Sequence, residues 1–374
     1  MTPTPRAMAS EYLHWAKLQS DARYKLATSG ILSYPLSELP VTIADLEING
    51  PDVYGYKPLQ ARLARKCGAP VECVVAANGT SMANHLAMAA ILEPGDEVLI
   101  ERPTYGILLE VASYLGANIT RFDRRAEDSF QIDIDEIRHK LTPNTKLIVL
   151  TNLHNPSGAL TDESTLRQLG QLAAAVGAIV MVDEVYLDMA RDTASTPPPR
   201  SCFHLGNNFV VTNSLTKAYG LSGLRCGWIL AQPRLAERIW RLSDLFFGIP
   251  PHPAELLSVI ALDHLDRIDA RAQSLLHANR IALNDFLDRN SQIEVVPPKW
   301  GTVLFPRLLH GSVNEFCALL LSKYETTVVP GHFFEMPDHF RIGIGGDTAT
   351  TARGLVQLRK CLEDGEQKTG LAPI

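Results

Sequence analysis

Ser214-Leu-Thr-Lys217-Ala-Tyr-Gly220-Leu-Ser-Gly223-Leu-Arg225-Cys-Gly227 continues an apolar, β-branched run that begins at Phe209. Its glycines confine Lys217 to a tight turn at a strand end, so the side chain has a defined place. A lysine so held can form a Schiff base with a carbonyl once its surroundings take the proton off the amine. Ser214 and Arg225 flank it with a hydroxyl and a guanidinium, both suited to a phosphate. Taken alone, a lysine beside a loop is an ordinary surface residue, so the rest of the chain has to decide.

Outward from this segment, β-branched runs at 97–101, 118–123, 146–151, 178–183 and 209–214 read as strands. Amphipathic stretches such as 105–116 and 162–176 lie between them. That alternation predicts a mainly parallel sheet covered by helices, with ligands gathered at the carboxyl ends of the strands. Residues 253–290 hold no internal proline or glycine after Pro253 and read as one long or slightly broken helix. It leads to a C-terminal part with strands near 302–306 and 340–344 and helices at 313–324 and 348–362. Residues 193–200, with three consecutive prolines, read as a surface loop. The polar tail 363–374 reads as frayed.

The chain has 374 residues, 46% of them hydrophobic and 20% charged, enough for a large core in two or three domains. A net charge of -6 without a basic block gives no support to a nucleic-acid partner. The apolar stretches are too short to span a membrane, and residues 1–9 lack the apolar core of a secretion signal. Six scattered cysteines without a C-x-x-C pair argue against a disulfide framework or a zinc site. Together these features point to a cytoplasmic protein.

The Lys217 segment resembles the lysine signature of class I/II, fold type I aminotransferases that depend on pyridoxal 5'-phosphate (PLP). A serine stands three residues before the lysine, and Gly-x-x-Gly-x-Arg-x-Gly follows it. Other elements of that family arrive in order over residues 50–350. The resemblance implies a large domain with a seven-stranded-type, mainly parallel sheet and a smaller α+β domain. It divides the chain into an N-terminal segment, 1–45, packing with the small domain; a large PLP-binding domain, 46–265; and a small domain, 266–374.

It also implies roles. Lys217 would carry the cofactor. Asp183, closing an apolar strand, would pair with the pyridine nitrogen, and Tyr186 would bond the 3-hydroxyl. Asn155, in Asn152-Leu-His-Asn-Pro-Ser-Gly158, would bond the same hydroxyl and orient the substrate carboxylate. Thr80 and Ser81, after Asn78-Gly79, would hold the phosphate at a helix start, with Ser214 and Arg225. Tyr105 would stack on the ring. Arg341, in Phe340-Arg-Ile-Gly343, would grip the substrate carboxylate with two parallel hydrogen bonds. Tyr54 or Tyr56, with Tyr54 favoured, would reach the phosphate of a second subunit in a homodimer. Gly30, in a Thr28-Ser29-Gly30 stretch that departs from the common pattern, would lie beside the substrate. Residues 246–250 would lie near the substrate mouth.

The activity so implied is transamination between an amino acid and a 2-oxo acid, with ping-pong kinetics. The same scaffold supports elimination, decarboxylation or cyclisation of modified amino acids, such as hydroxylated arginines. A non-catalytic sensor built on the fold is a further alternative; such proteins carry an appended DNA-binding helix pair, and too little chain precedes residue 45 for one. A dehydrogenase would rest on Gly343-Ile-Gly345-Gly346, which lacks the dinucleotide-binding spacing.

Overall fold

The computed structural model describes residues 6–51, 53–192 and 196–369, with side chains to residue 365. Its centre is a seven-stranded sheet. Across it run Val74–Asn78, Cys226–Leu230, Phe209–Ser214, Ile179–Asp183, Thr145–Thr151, Glu97–Arg102 and Asn118–Asp123. Cys226–Leu230 is antiparallel to both its neighbours, and every other pairing among the remaining strands is parallel.

The inner strands are buried on both faces, which is why they read as unbroken apolar runs. Alternation within them divides the core. Ile148, Leu150, Val180 and Val182 belong to one apolar cluster; Leu147, Val149 and Met181 belong to a second on the opposite face. Because the antiparallel strand is flanked by Val74–Asn78 and Phe209–Ser214, both of these point the same way as the rest. Asn78, Arg102, Thr151, Asp183 and Ser214 therefore all finish on one edge.

Two strands escaped the sequence reading. Val74–Asn78 is short and half alanine-like, and Cys226–Leu230 contains Gly227, a poor strand former. Gly227 is required there. A Cβ on it would lie 2.4 Å from the carbonyl carbon of Gly79, where the helix Gly79–Ile91 begins.

The predicted long helix is two helices, His252–Asp263 and Leu265–Asp288, broken at His264. Asp263, at that break, accepts a two-pronged bond from Arg62. The helix Thr348–Thr369 continues through residues expected to fray; residues 370–374 lie outside the described ones. Of the loop expected at 193–200, residues 193–195 also lie outside, and 196–200 form neither helix nor strand.

C-terminal to Asp288, an antiparallel trio of Val303–Leu304, Phe340–Gly343 and Val329–Pro330 packs with the helices Val313–Tyr324 and Thr348–Thr369 around its own apolar cluster. The N-terminal segment joins this part. Tyr24–Lys25 pairs in parallel with Thr326–Thr327, and Tyr12 of the helix Glu11–Leu18 lies against Phe333 and Phe334.

Candidate active site

The shared edge of the sheet opens into a cavity of about 600 Å3. Thr80, Ser81, Tyr105, Asn155, Asp183, Tyr186, Lys217 and Arg225 line it, as sequence reasoning expects. Two larger clefts, about 730 and 650 Å3, contain no lysine, so the chemistry assigns the smaller cavity.

Lys217 is half-buried, and its amine donates to Ser29 Oγ at 3.2 Å. Burial lowers its pKa from 10.5 to about 8; the Arg341 guanidinium pushes the same way and Asp183 opposes. A useful fraction of free amine therefore exists near neutral pH. Gly30 packs against this side chain: an added Cβ would sit 3.3 Å from Lys217 Cδ.

Asp183 is 3% exposed. Its oxygens accept from Asn84 Nδ2 at 2.8 Å and from the Val185 amide at 3.1 Å. Burial still pushes its pKa up to about 6, because no bonded cation balances the charge. Tyr186, at the same strand end, has its pKa pushed up to about 12, chiefly by burial.

The helix Gly79–Ile91 starts at the cavity, so unpaired backbone amides face it. Thr80 Oγ1 donates to Ser214 Oγ at 2.7 Å, joining two strand ends. Arg225 sits at φ 50°, a left-handed conformation that costs about 1–2 kcal/mol for a residue with a Cβ. Its Nη2 donates to Asn78 O at 3.3 Å, which brings the guanidinium over the same turn.

Arg341 is fully buried. Nη1 donates to Asn155 Oδ1 at 2.9 Å, and Nη2 donates to Tyr12 OH at 2.9 Å and Ala27 O at 3.2 Å. Its Nε has no partner. A buried guanidinium with an unused donor is matched by a carboxylate.

Some expected neighbours lie elsewhere. Phe246 packs on His85, and the stretch 246–250 does not line this chain's cavity. Tyr54 is half exposed and bonded to Asp244, outside the cavity, whereas Tyr56 packs edge-on against His252. Sequence reasoning missed Tyr12, Asn84 and Thr151. Asn84 leaves a signal, a polar residue on the buried side of an otherwise apolar helix; Tyr12 leaves none, being 329 residues from the arginine it touches.

A family model described as aminotransferase class I and II matches residues 47–358. The chain belongs to that family. Its cofactor is pyridoxal 5'-phosphate. Capreomycidine synthase of Streptomyces vinaceus is 30% identical over 95% of this chain and 93% of its own. The structure of a PLP-dependent aminotransferase from Streptococcus suis superposes with a TM-score of 0.88 at 25% identity, covering 97% of this chain and 99% of that one. The PLP-dependent cyclase OrfR shares the fold, with a TM-score of 0.86 at 24% identity over 98% and 100% of the two chains.

The residues present suit the cofactor. A buried carboxylate without a counter-cation suits a protonated ring nitrogen. Hydroxyls, helix-start amides and Arg225 converge on one turn, as a phosphate requires. Lys217 would offer the aldehyde an amine that is readily deprotonated.

Proposed function

We propose that the protein is an aminotransferase, moving an amino group between an amino acid and a 2-oxo acid in ping-pong order. The observation that carries this reading is the pairing of the easily deprotonated amine of Lys217 with a buried guanidinium, Arg341, that lowers its pKa and keeps a donor unused. One group handles protons and the other holds an α-carboxylate.

Thr80, Ser81, Ser214 and Arg225 would hold the phosphate, Tyr105 would cover one face of the ring, and Asn155 and Tyr186 would bond its 3-hydroxyl. When bound, PLP supplies a covalent anchor for the amino group and an electron sink that acidifies the α-carbon. Asp183 keeps the proton on the ring nitrogen through a charge-assisted hydrogen bond. Arg341 and Asn155 orient the substrate carboxylate. Lys217 Nζ takes the α-proton as a general base and returns it at the other end of the transfer. Tyr54, pointing away from its own cavity, would serve the phosphate of a second subunit in a homodimer.

A second reading is a lyase, decarboxylase or cyclase on the same scaffold. The nearly full-length similarity to capreomycidine synthase favours it. Ser29 does too: its hydroxyl oxygen accepts from the Lys217 amine, which leaves the hydroxyl proton to pass to a leaving group.

Mixing the enzyme with one amino acid at a time, without an oxo acid, separates the two. An aminotransferase releases one oxo acid per site and stops until a second oxo acid is added. Repeated turnover without any oxo acid overturns the transaminase reading.

A further inference from the structure

We propose that Glu101, acting through Thr151, is the positioning residue for the carboxylate clamp made by Asn155 and Arg341. The inference rests on the reading of Arg341 as that clamp.

Glu101 lies in the strand Glu97–Arg102, with no exposed surface. Its Oε2 accepts from Arg124 Nη1 at 2.9 Å. Its Oε1 accepts twice from Thr151: from the amide at 2.7 Å and from the hydroxyl at 2.7 Å. Arg124 is equally buried and spends its other donors on Phe130 O and Thr161 Oγ1. The carboxylate is thus fixed in orientation from both sides.

A hydroxyl has one proton to give. Thr151 gives it to Glu101, so Thr151 Oγ1 faces Asn155 as an acceptor. The Asn155 backbone N–H donates to it at 2.9 Å. Asn155 Oδ1 then accepts from Arg341 Nη1 at 2.9 Å. The relay is positional: Glu101 orients the Thr151 hydroxyl, that oxygen holds the Asn155 backbone, and the Asn155 backbone sets where its side-chain oxygen meets Arg341. A Thr151 hydroxyl turned toward Asn155 would set its proton against that backbone N–H.

A purely structural purpose does not account for this chain. Burying an ion pair is costly, and an apolar pair of similar volume would hold two neighbouring strands as well. An ion pair does what an apolar pair cannot: its carboxylate takes the Thr151 proton and leaves that oxygen as the acceptor that holds the Asn155 backbone. The relay ends at the side chain proposed to meet the substrate.

The test is titration of propionate, a carboxylate without an amino group, into the PLP-loaded protein. Binding is followed by the visible absorbance of the cofactor. Thr151→Val and Glu101→Gln should each weaken binding by about fivefold to twentyfold, the scale of one misdirected buried hydrogen bond. Arg341→Lys should weaken it by about a hundredfold. In the Arg341→Lys background, Thr151→Val should change affinity less than twofold, because its effect passes through the lost guanidinium.

Equal losses from Thr151→Val in both backgrounds mark a general structural role and overturn the proposal. So does full affinity in Thr151→Val, which decides the matter if Glu101→Gln fails to fold. Undiminished affinity in Arg341→Lys overturns the clamp itself, a separate failure.

Discussion

Replacing Asp183 by asparagine should stabilise the cofactor-free protein while disabling the loaded one. Asp183 is buried, and its pKa rises from 3.8 to about 6 in the folded chain. At about 1.4 kcal/mol per factor of ten in proton affinity, that rise corresponds to about 3 kcal/mol. The folded-state pKa lies above the unfolded one, so the stability linked to this group is present at low pH. It is lost as pH climbs through about 6. Roughly half the penalty is present at pH 5 and nearly all of it above pH 7.

An introduced amide does not titrate and can be accommodated. Its oxygen can accept from the Val185 amide, and its NH2 can meet Asn84 if that side chain turns over. Thr212, which now donates to Asn84 Oδ1, can accept instead, since a hydroxyl does either. Denaturant unfolding of the two apoproteins should thus show Asp183→Asn more stable by about 3 kcal/mol at pH 8 and by about half that at pH 5. Loading with PLP should reverse the order, because only the carboxylate gains a charge-assisted bond, and kcat/KM should fall roughly tenfold to a hundredfold or more. A variant no more stable than its parent at pH 8, or a difference independent of pH, refutes the argument that Asp183 is held ionised at a cost.

Three other outcomes are expected. The rate at which apoprotein captures PLP should rise with pH and level off above about 8, reporting the Lys217 amine, and Lys217→Ala should fold but yield no borohydride-fixed cofactor. Gly227→Ala should cost about 1–3 kcal/mol in an unfolding titration and weaken PLP binding, since its Cβ would collide with the backbone of Gly79. Mixing Lys217→Ala and Tyr54→Phe subunits should restore about one intact site in four if Tyr54 serves the neighbouring subunit, and none if it serves its own.

What could be read in the sequence follows from what the chemistry constrains. Lys217, Asp183, Asn155, Thr80 and Arg341 are each required in type and placed at or beside a strand end, so a local pattern announces them. The strands 118–123 and 209–214 were legible to the residue because each holds adjacent β-branched residues, Ile119-Thr120 and Val210-Val211-Thr212, and neither holds a glycine or proline. Cys226–Leu230 was not, because Gly227 answers to the close approach of Gly79 and not to strand propensity. Tyr12 and Thr151 were not, because they act through distant partners and no short motif records them. Tyr54 and Tyr56 share one short stretch, so spacing favours Tyr54 only slightly; the structure seats Tyr54 on Asp244 and Tyr56 on His252.

The charges around Lys217 also explain why carboxylate binding and proton transfer belong to one arrangement. Desolvation is the largest influence depressing its amine, and Arg341 is the next. On the proposed reading, a substrate carboxylate neutralises the Arg341 guanidinium at the moment it is held. The repulsion that lowers the proton affinity of Lys217 then weakens, while Asp183 continues to attract positive charge. The amine enters with a lowered proton affinity, easily freed to bind a carbonyl, and becomes a stronger base once a substrate is in place. A guanidinium too exposed to influence the amine could bind the same carboxylate without that effect; full burial of Arg341 is what couples the two.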